Sequence, residues 1–172
     1  MKRLLVVAVA LFAVVFMVTG SVWAAEGFGA RLRGFEEVPA IASGGQGFFS
    51  GTLDDSGTTL TFTLVYFGVE NPVTQAHIHV GQTGVNGGIV LFFCTNLTPP
   101  AGVPVPQACP NAPGLNTITG TLTAANVIAV AAQDVGSGDF QRVISAMRAG
   151  TAYANIHSTA FPGGEIRGQV TR

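Results

Sequence analysis

Apolar residues recur at every second position in this chain, in short runs broken by Gly, Pro, Asn and Asp. The clearest run is Thr58–Phe67, where Leu60, Phe62, Leu64 and Tyr66 alternate with Thr59, Thr61, Thr63 and Val65. A period of two sends one set of side chains to an oily face and the other to a polar face, which a strand satisfies and a helix does not. Similar runs fall near Ala30–Arg33, Gly47–Leu53, Gln75–Val80, Ile89–Cys94, Thr117–Thr123, Ala152–His157 and Glu165–Thr171. Asp55-Ser56-Gly57 and Asn86-Gly87 supply turns, because Gly and Asn tolerate the positive φ of tight hairpins. About eight strands with frequent turns predict an all-β fold, a single antiparallel β-sandwich. One short helix interrupts it near residues 139–149. There Phe140, Val143, Ile144 and Met147 follow helical spacing, with Asp139 as N-cap and Gly150 as the stop. Residues 124–135 read either as a loop with a helical turn or as an extra strand.

The start of the chain reads as an export signal. Lys2 and Arg3 precede an unbroken apolar run from Leu4 to Val18, and Val22-Trp23-Ala24 places small residues where a signal peptidase needs them. Cleavage after Ala24 leaves one domain, residues 25–172, in a secreted or periplasmic setting. Left uncut, the same segment would act as an anchor, although its ~15 apolar residues fall short of the roughly 20 that span a bilayer.

Lys2 is the only lysine, so the exported part carries six arginines against nine acids, a net charge of minus three. Nucleic-acid binding needs clustered positive charge to displace phosphate counterions, and this chain has little to offer. An electrostatic hold on anionic membranes is excluded on the same ground, and no stable insertion is expected once the signal is removed. Cys94 and Cys109 are the only cysteines. An even count in an exported chain predicts a disulfide, here closing a loop rich in Pro, Asn and Thr. The alternative, a Cys/His metal site, lacks the close cysteine spacing of such sites. Asn96-Leu97-Thr98 is a glycosylation sequon if the host glycosylates exported proteins.

Ala76-His77-Ile78-His79-Val80 carries the functional question. On a strand both imidazoles point one way and the apolar trio the other, so the histidines are expected on the outer surface of the sheet. His157, the one remaining histidine, sits in Ala154-Asn155-Ile156-His157 with the same alternation. In Glu165-Ile166-Arg167-Gly168-Gln169-Val170, the residues Glu165, Arg167 and Gln169 also read as outward. A hairpin through Phe161-Pro162-Gly163-Gly164 would bring Glu165 near His157 and Arg167 near Asn155. The resulting exterior patch has two readings. His77, His79 and His157 could hold copper or zinc if their rings come within about 5 Å of one another. Alternatively the patch is a hydrogen-bonded network in which Arg167 pairs with Glu165.

Other chemistries are excluded. His157 and Ser158 are neighbours on a strand and face opposite sides, so they form no base–nucleophile pair. The run Gly81–Gly88 lacks a phosphate-loop lysine and leads into a strand, which makes it a flexible turn. Glu36-Glu37 and Asp54-Asp55 are adjacent acids without the opposed placement of glycosidic catalysis.

Glu37-Val38-Pro39, Ala76-His77-Ile78-His79, Asn86-Gly87-Gly88-Ile89-Val90, and Gly150 and Tyr153 through Gly164-Glu165-Ile166-Arg167-Gly168-Gln169 together resemble the CHRD domain, named after chordin and also found in exported bacterial proteins. The resemblance runs from about Gly27 to the C-terminus, with Ala40 where the family often has a second proline. It implies an immunoglobulin-like or Greek-key β-sandwich and brings no established catalytic activity. The function it implies is a binding module for an extracellular or envelope protein, a glycan or a small ligand. His77, His79, Asn155, His157, Glu165 and Arg167 coincide with its pattern. A weaker likeness is to copper-zinc superoxide dismutase, whose full histidine set and bridging ligand are missing here.

Overall fold

A computed structural model describes residues 25–70, 72–99 and 101–172; the export segment read at 1–24 lies outside the described residues. Each alternating run becomes a strand: β1 (Glu26–Arg33), β2 (Gln46–Leu53), β3 (Leu60–Phe67), β4 (Val73–Val80), β5 (Gly88–Thr95), β6 (Asn116–Leu122), β7 (Ala152–Ser158) and β8 (Ile166–Gln169). On β3 the prediction holds residue by residue, with Leu60, Phe62, Leu64 and Tyr66 buried.

The strands form one eight-stranded sheet in the order β5-β4-β7-β8-β1-β2-β3-β6. Every neighbouring pair is antiparallel. The sheet curls until its edges β5 and β6 approach. Gln107 bridges them, its carbonyl accepting from Thr95 N at 2.9 Å and its side-chain amide donating to Thr119 O at 2.9 Å. The all-β antiparallel expectation therefore holds in the form of a nearly closed barrel. The two-sheet sandwich gives way to this single curled sheet because one continuous ladder joins all eight strands.

The interior is filled by Phe49, Phe62, Phe93, Leu32, Leu64, Ile78, Ile156 and Ile166 among others. Phe93 reaches across from β5 to ring centroids 4.8 Å away at Phe62 and 5.3 Å away at Phe49, so both halves of the sheet share one core. The helix α1 (Phe140–Arg148) buries Phe140, Val143, Ile144 and Met147, the stripe read from spacing. Asp139 caps it by accepting from Arg142 N, and Gly150 ends it at φ 67°. Residues 124–135 hold two short 3-10 turns and an isolated bridge between Val130 and Val135, so they are a loop with helical turns. Cys94 and Cys109 are joined by a disulfide.

Candidate metal centre

Three rows of side chains cross β4, β7 and β8 on the face pointing away from the barrel interior. His79 pairs with Tyr153 and Tyr153 with Gln169; His77 pairs with Asn155 and Asn155 with Arg167. Beyond them Gln75 pairs with His157, and Glu165 N donates to Ile156 O at 2.8 Å to start β8. The alternation thus placed His77, His79, Asn155, His157, Glu165 and Arg167 on one face. On β5 the ladder skips Phe93 and Val90 opposite the two β4 histidines, and such bulges re-aim a strand beside a site.

That face is not the outer surface. His77 is 0 % exposed, His79 7 % and His157 5 %, and Asn155, Glu165 and Arg167 are buried too. The expectation of an exterior patch is corrected because loops fold back over it. The segment 34–45 contributes Glu37 and Ser43, and 81–88 contributes Asn86 and Gly87. The two are joined where Asn86 Nδ2 donates to Val38 O at 2.9 Å. The glycine-rich run read as a flexible turn is therefore part of a roof. Its Gly87 has no substitute, since a Cβ there would lie 1.6 Å from Val80 O.

Under the roof the three imidazoles converge, each offering a nitrogen within 4.8 Å of the others. Backbone carbonyls fix two of the rings. His79 Nδ1 lies 2.9 Å from Gly87 O and His157 Nδ1 lies 2.9 Å from Pro162 O. A carbonyl only accepts, so each Nδ1 carries the proton and each Nε2 keeps a lone pair. His77 Nδ1 sits 3.3 Å from His79 Nε2. Among the described residues, Nε2 of His77 and of His157 finds no hydrogen-bond partner. Buried polar atoms left in this way cost about 1–3 kcal/mol each and call for a physical reason.

Burial and mutual proximity hold the rings neutral. Loss of solvent, then the neighbouring His157 and His79, pull His77 down to about 2. Burial, opposed by the Gly87 carbonyl, lowers His79 to about 4, with His157 and Arg167 adding to the fall. Burial also lowers His157, against the pull of the Pro162 carbonyl. Neutral rings whose Nδ1–H is held by a backbone carbonyl, fixing the tautomer, are the form in which histidine binds metal. The donor set suits copper or zinc.

The expected Arg167–Glu165 pair does not form. Arg167 instead donates to Asn86 Oδ1 at 3.1 Å, Gln82 O at 3.2 Å and Val85 O at 2.8 Å. Its arginine fork reaches up into the roof because three acceptors converge there. Glu165 Oε1 accepts from Ser43 Oγ at 2.7 Å and Glu70 N at 3.2 Å. The other oxygen of Glu165 is buried without a partner among the described residues.

Glu37 is the residue that sequence reasoning missed. Read as one of two adjacent acids, it is 7 % exposed and accepts from Asn155 Nδ2 at 2.6 Å. Burial pushes it up to about 7; Asn155 and Arg167 pull it down and Glu165 pushes it further up. Gly164, at φ 129°, makes room, since a Cβ would come 2.7 Å from a Glu37 carboxylate oxygen. The available signal was the position of Glu37 at the head of the first block shared with the resembling family.

Taken together, these features define a nearly closed antiparallel β-barrel with a roofed trihistidine cluster built on its outward face. The chain belongs to the CHRD domain family, whose family model matches residues 28–170. Neither the curated proteins nor the solved structures contain a match.

Proposed function

We propose that this protein is an exported CHRD domain whose ligand is one transition-metal ion, copper or zinc, held by His77, His79 and His157. The supporting observation is the pair of Nδ1–carbonyl clamps at Gly87 and Pro162, which leave the Nε2 lone pairs of His79 and His157 free of the proton in a buried cluster with His77. A satisfied polar core would have given His157 Nε2 a partner, and it has none among the described residues. Reading the ligand as a metal ion gives the binding-module expectation a chemical identity. Export is supported by the leader-like residues 1–24 and by the Cys94–Cys109 bridge, which suits an oxidising compartment. Among the described residues no helix is long and apolar enough to cross a membrane.

Elemental analysis of purified residues 25–172, stripped with chelator and reloaded separately with zinc and copper, tests the reading. One ion per chain is expected, lost in His79→Ala. Metal no higher than in a matched blank would end it.

A further inference from the structure

The donor set says more than that a metal binds. Resting on the metal-binding reading, we propose that the cluster selects monovalent copper over zinc.

The three ligands are neutral imidazoles, and no thiolate or carboxylate joins them in the group of mutually reachable ligand atoms. Of the two acids in the wall, Glu165 holds Ser43 and Glu70 with one oxygen and Glu37 holds Asn155, and neither belongs to the group of mutually reachable ligand atoms. An ion entering the cluster therefore keeps its whole charge. Desolvation cost rises with the square of that charge, so a divalent ion is penalised about fourfold more than a monovalent one in the same pocket. His77 is 0 % exposed, and the free nitrogens of His77 and His157 are fully covered.

A fixed cation adds to this. The Arg167 guanidinium carbon lies 3.4 Å from the Tyr153 ring centroid, and Tyr153 stacks on His79 at 4.6 Å with 6° between planes. Arg167 thus stands one aromatic ring away from a ligand, and repulsion from it grows with the charge of the bound ion.

Coordination number points the same way. Zinc takes four ligands, using water where the protein supplies three. Here the three imidazoles lie beneath the roof, none of them more than 7 % exposed, so a water ligand has little access to the ion. Monovalent copper, with a filled d shell and a low charge, is satisfied by three nitrogens. His77 Nδ1 and His79 Nε2, 3.3 Å apart, already stand at the separation that two bonds near 2 Å at a trigonal or tetrahedral angle would give.

The test is competition on stripped residues 25–172 at pH 7.5. Copper(I) is titrated anaerobically under ascorbate against a bathocuproine chelator, and zinc against a chromophoric zinc chelator. One copper(I) per chain is expected, bound at least about 100-fold more tightly than zinc, with X-ray absorption showing three nitrogen ligands. His77→Ala and His157→Ala should each weaken copper(I) by about 100-fold; the absorption spectrum of the unmutated protein carries the test if either variant fails to fold. Zinc binding equal to or tighter than copper(I), or a four-coordinate spectrum, overturns the copper preference and leaves the metal site standing. Binding of neither ion overturns both.

Discussion

The Arg167 guanidinium carbon lies over the Tyr153 ring, 3.4 Å from its centroid, and His79 lies parallel to the same ring at 4.6 Å. Both neighbours cannot occupy one face at these distances, so Tyr153 is sandwiched between a cation and a metal-ligand candidate. Its hydroxyl accepts from Gly87 N at 3.1 Å, while the Gly87 carbonyl holds His79 Nδ1. The stack and the roof are thus one mechanical unit, and Arg167 ties it together from below.

Replacing Arg167 by Met should loosen that unit. Three acceptors lose a charged donor, and the loss of such a group costs about 3 kcal/mol. Arg167→Lys keeps the charge but not the fork, and should lose about half as much. Urea unfolding of the metal-free variants measures this. A midpoint for Arg167→Met that matches the parent would show that the roof stands without the guanidinium.

The disulfide closes a separation of 15 residues. In the chain-entropy account, that span contributes about 3 kcal/mol by restricting the unfolded chain. Asn96 braces the same loop independently, donating to Val73 O at 2.9 Å and Cys109 O at 3.0 Å and accepting from Cys109 N at 3.0 Å. Cys94→Ala/Cys109→Ala should therefore stay folded while its thermal midpoint falls by roughly 6–12 °C. An unaltered melt would mean that the Asn96 brace alone fixes the loop.

Glu37 supplies a pH dependence of opposite sign to that of an ordinary carboxylate. Its folded value, about 7, lies above the unfolded value of 4.5, so the folded state holds the extra proton between the two. The stability from this group is fully present below pH 4.5 and is lost as pH rises through 7. Glu37→Gln keeps the acceptor for Asn155 without the charge. It should gain on the parent as pH rises from 4.5 to 7, reaching on the order of 3 kcal/mol above pH 8. Denaturant midpoints across that range check it. A difference that does not vary with pH would mean that Glu37 ionises as freely as in the unfolded chain.

The strands and the shared face of the six site residues were legible because period-two alternation is local: Leu60 to Tyr66, His77 and His79 need only their neighbours to set direction. What lies above that face is not local. The roof depends on Asn86 reaching Val38 and on Arg167 reaching Gln82 and Val85, contacts between residues far apart in the chain. Hence the exposed patch and the Arg167–Glu165 pair expected from alternation do not occur, because loops cover the face. The barrel curl was hidden for a similar reason. Strand counting finds eight strands, but the bridging of β5 and β6 through Gln107 depends on how the disulfide loop folds back.

Acid should unfold the metal-free protein through the histidines. His77, held at about 2, and His79, at about 4, stay neutral in the fold, while in the unfolded chain both protonate near 6.5. The unfolded state therefore binds more protons below that point, and stability falls as pH drops from 6.5 toward 4. His157, lowered in the same sense, adds to the loss. Glu37 opposes it by gaining its proton over the same interval. From His77 and His79 the net fall between pH 7.5 and pH 5 should be about 2 kcal/mol in the parent and about 4 kcal/mol in Glu37→Gln, where the opposing group is gone. Urea unfolding at the two pH values measures both slopes. Equal slopes in the parent and the variant would separate Glu37 from the site, and a flat profile in both would mean that the buried imidazoles take up protons as readily as free ones.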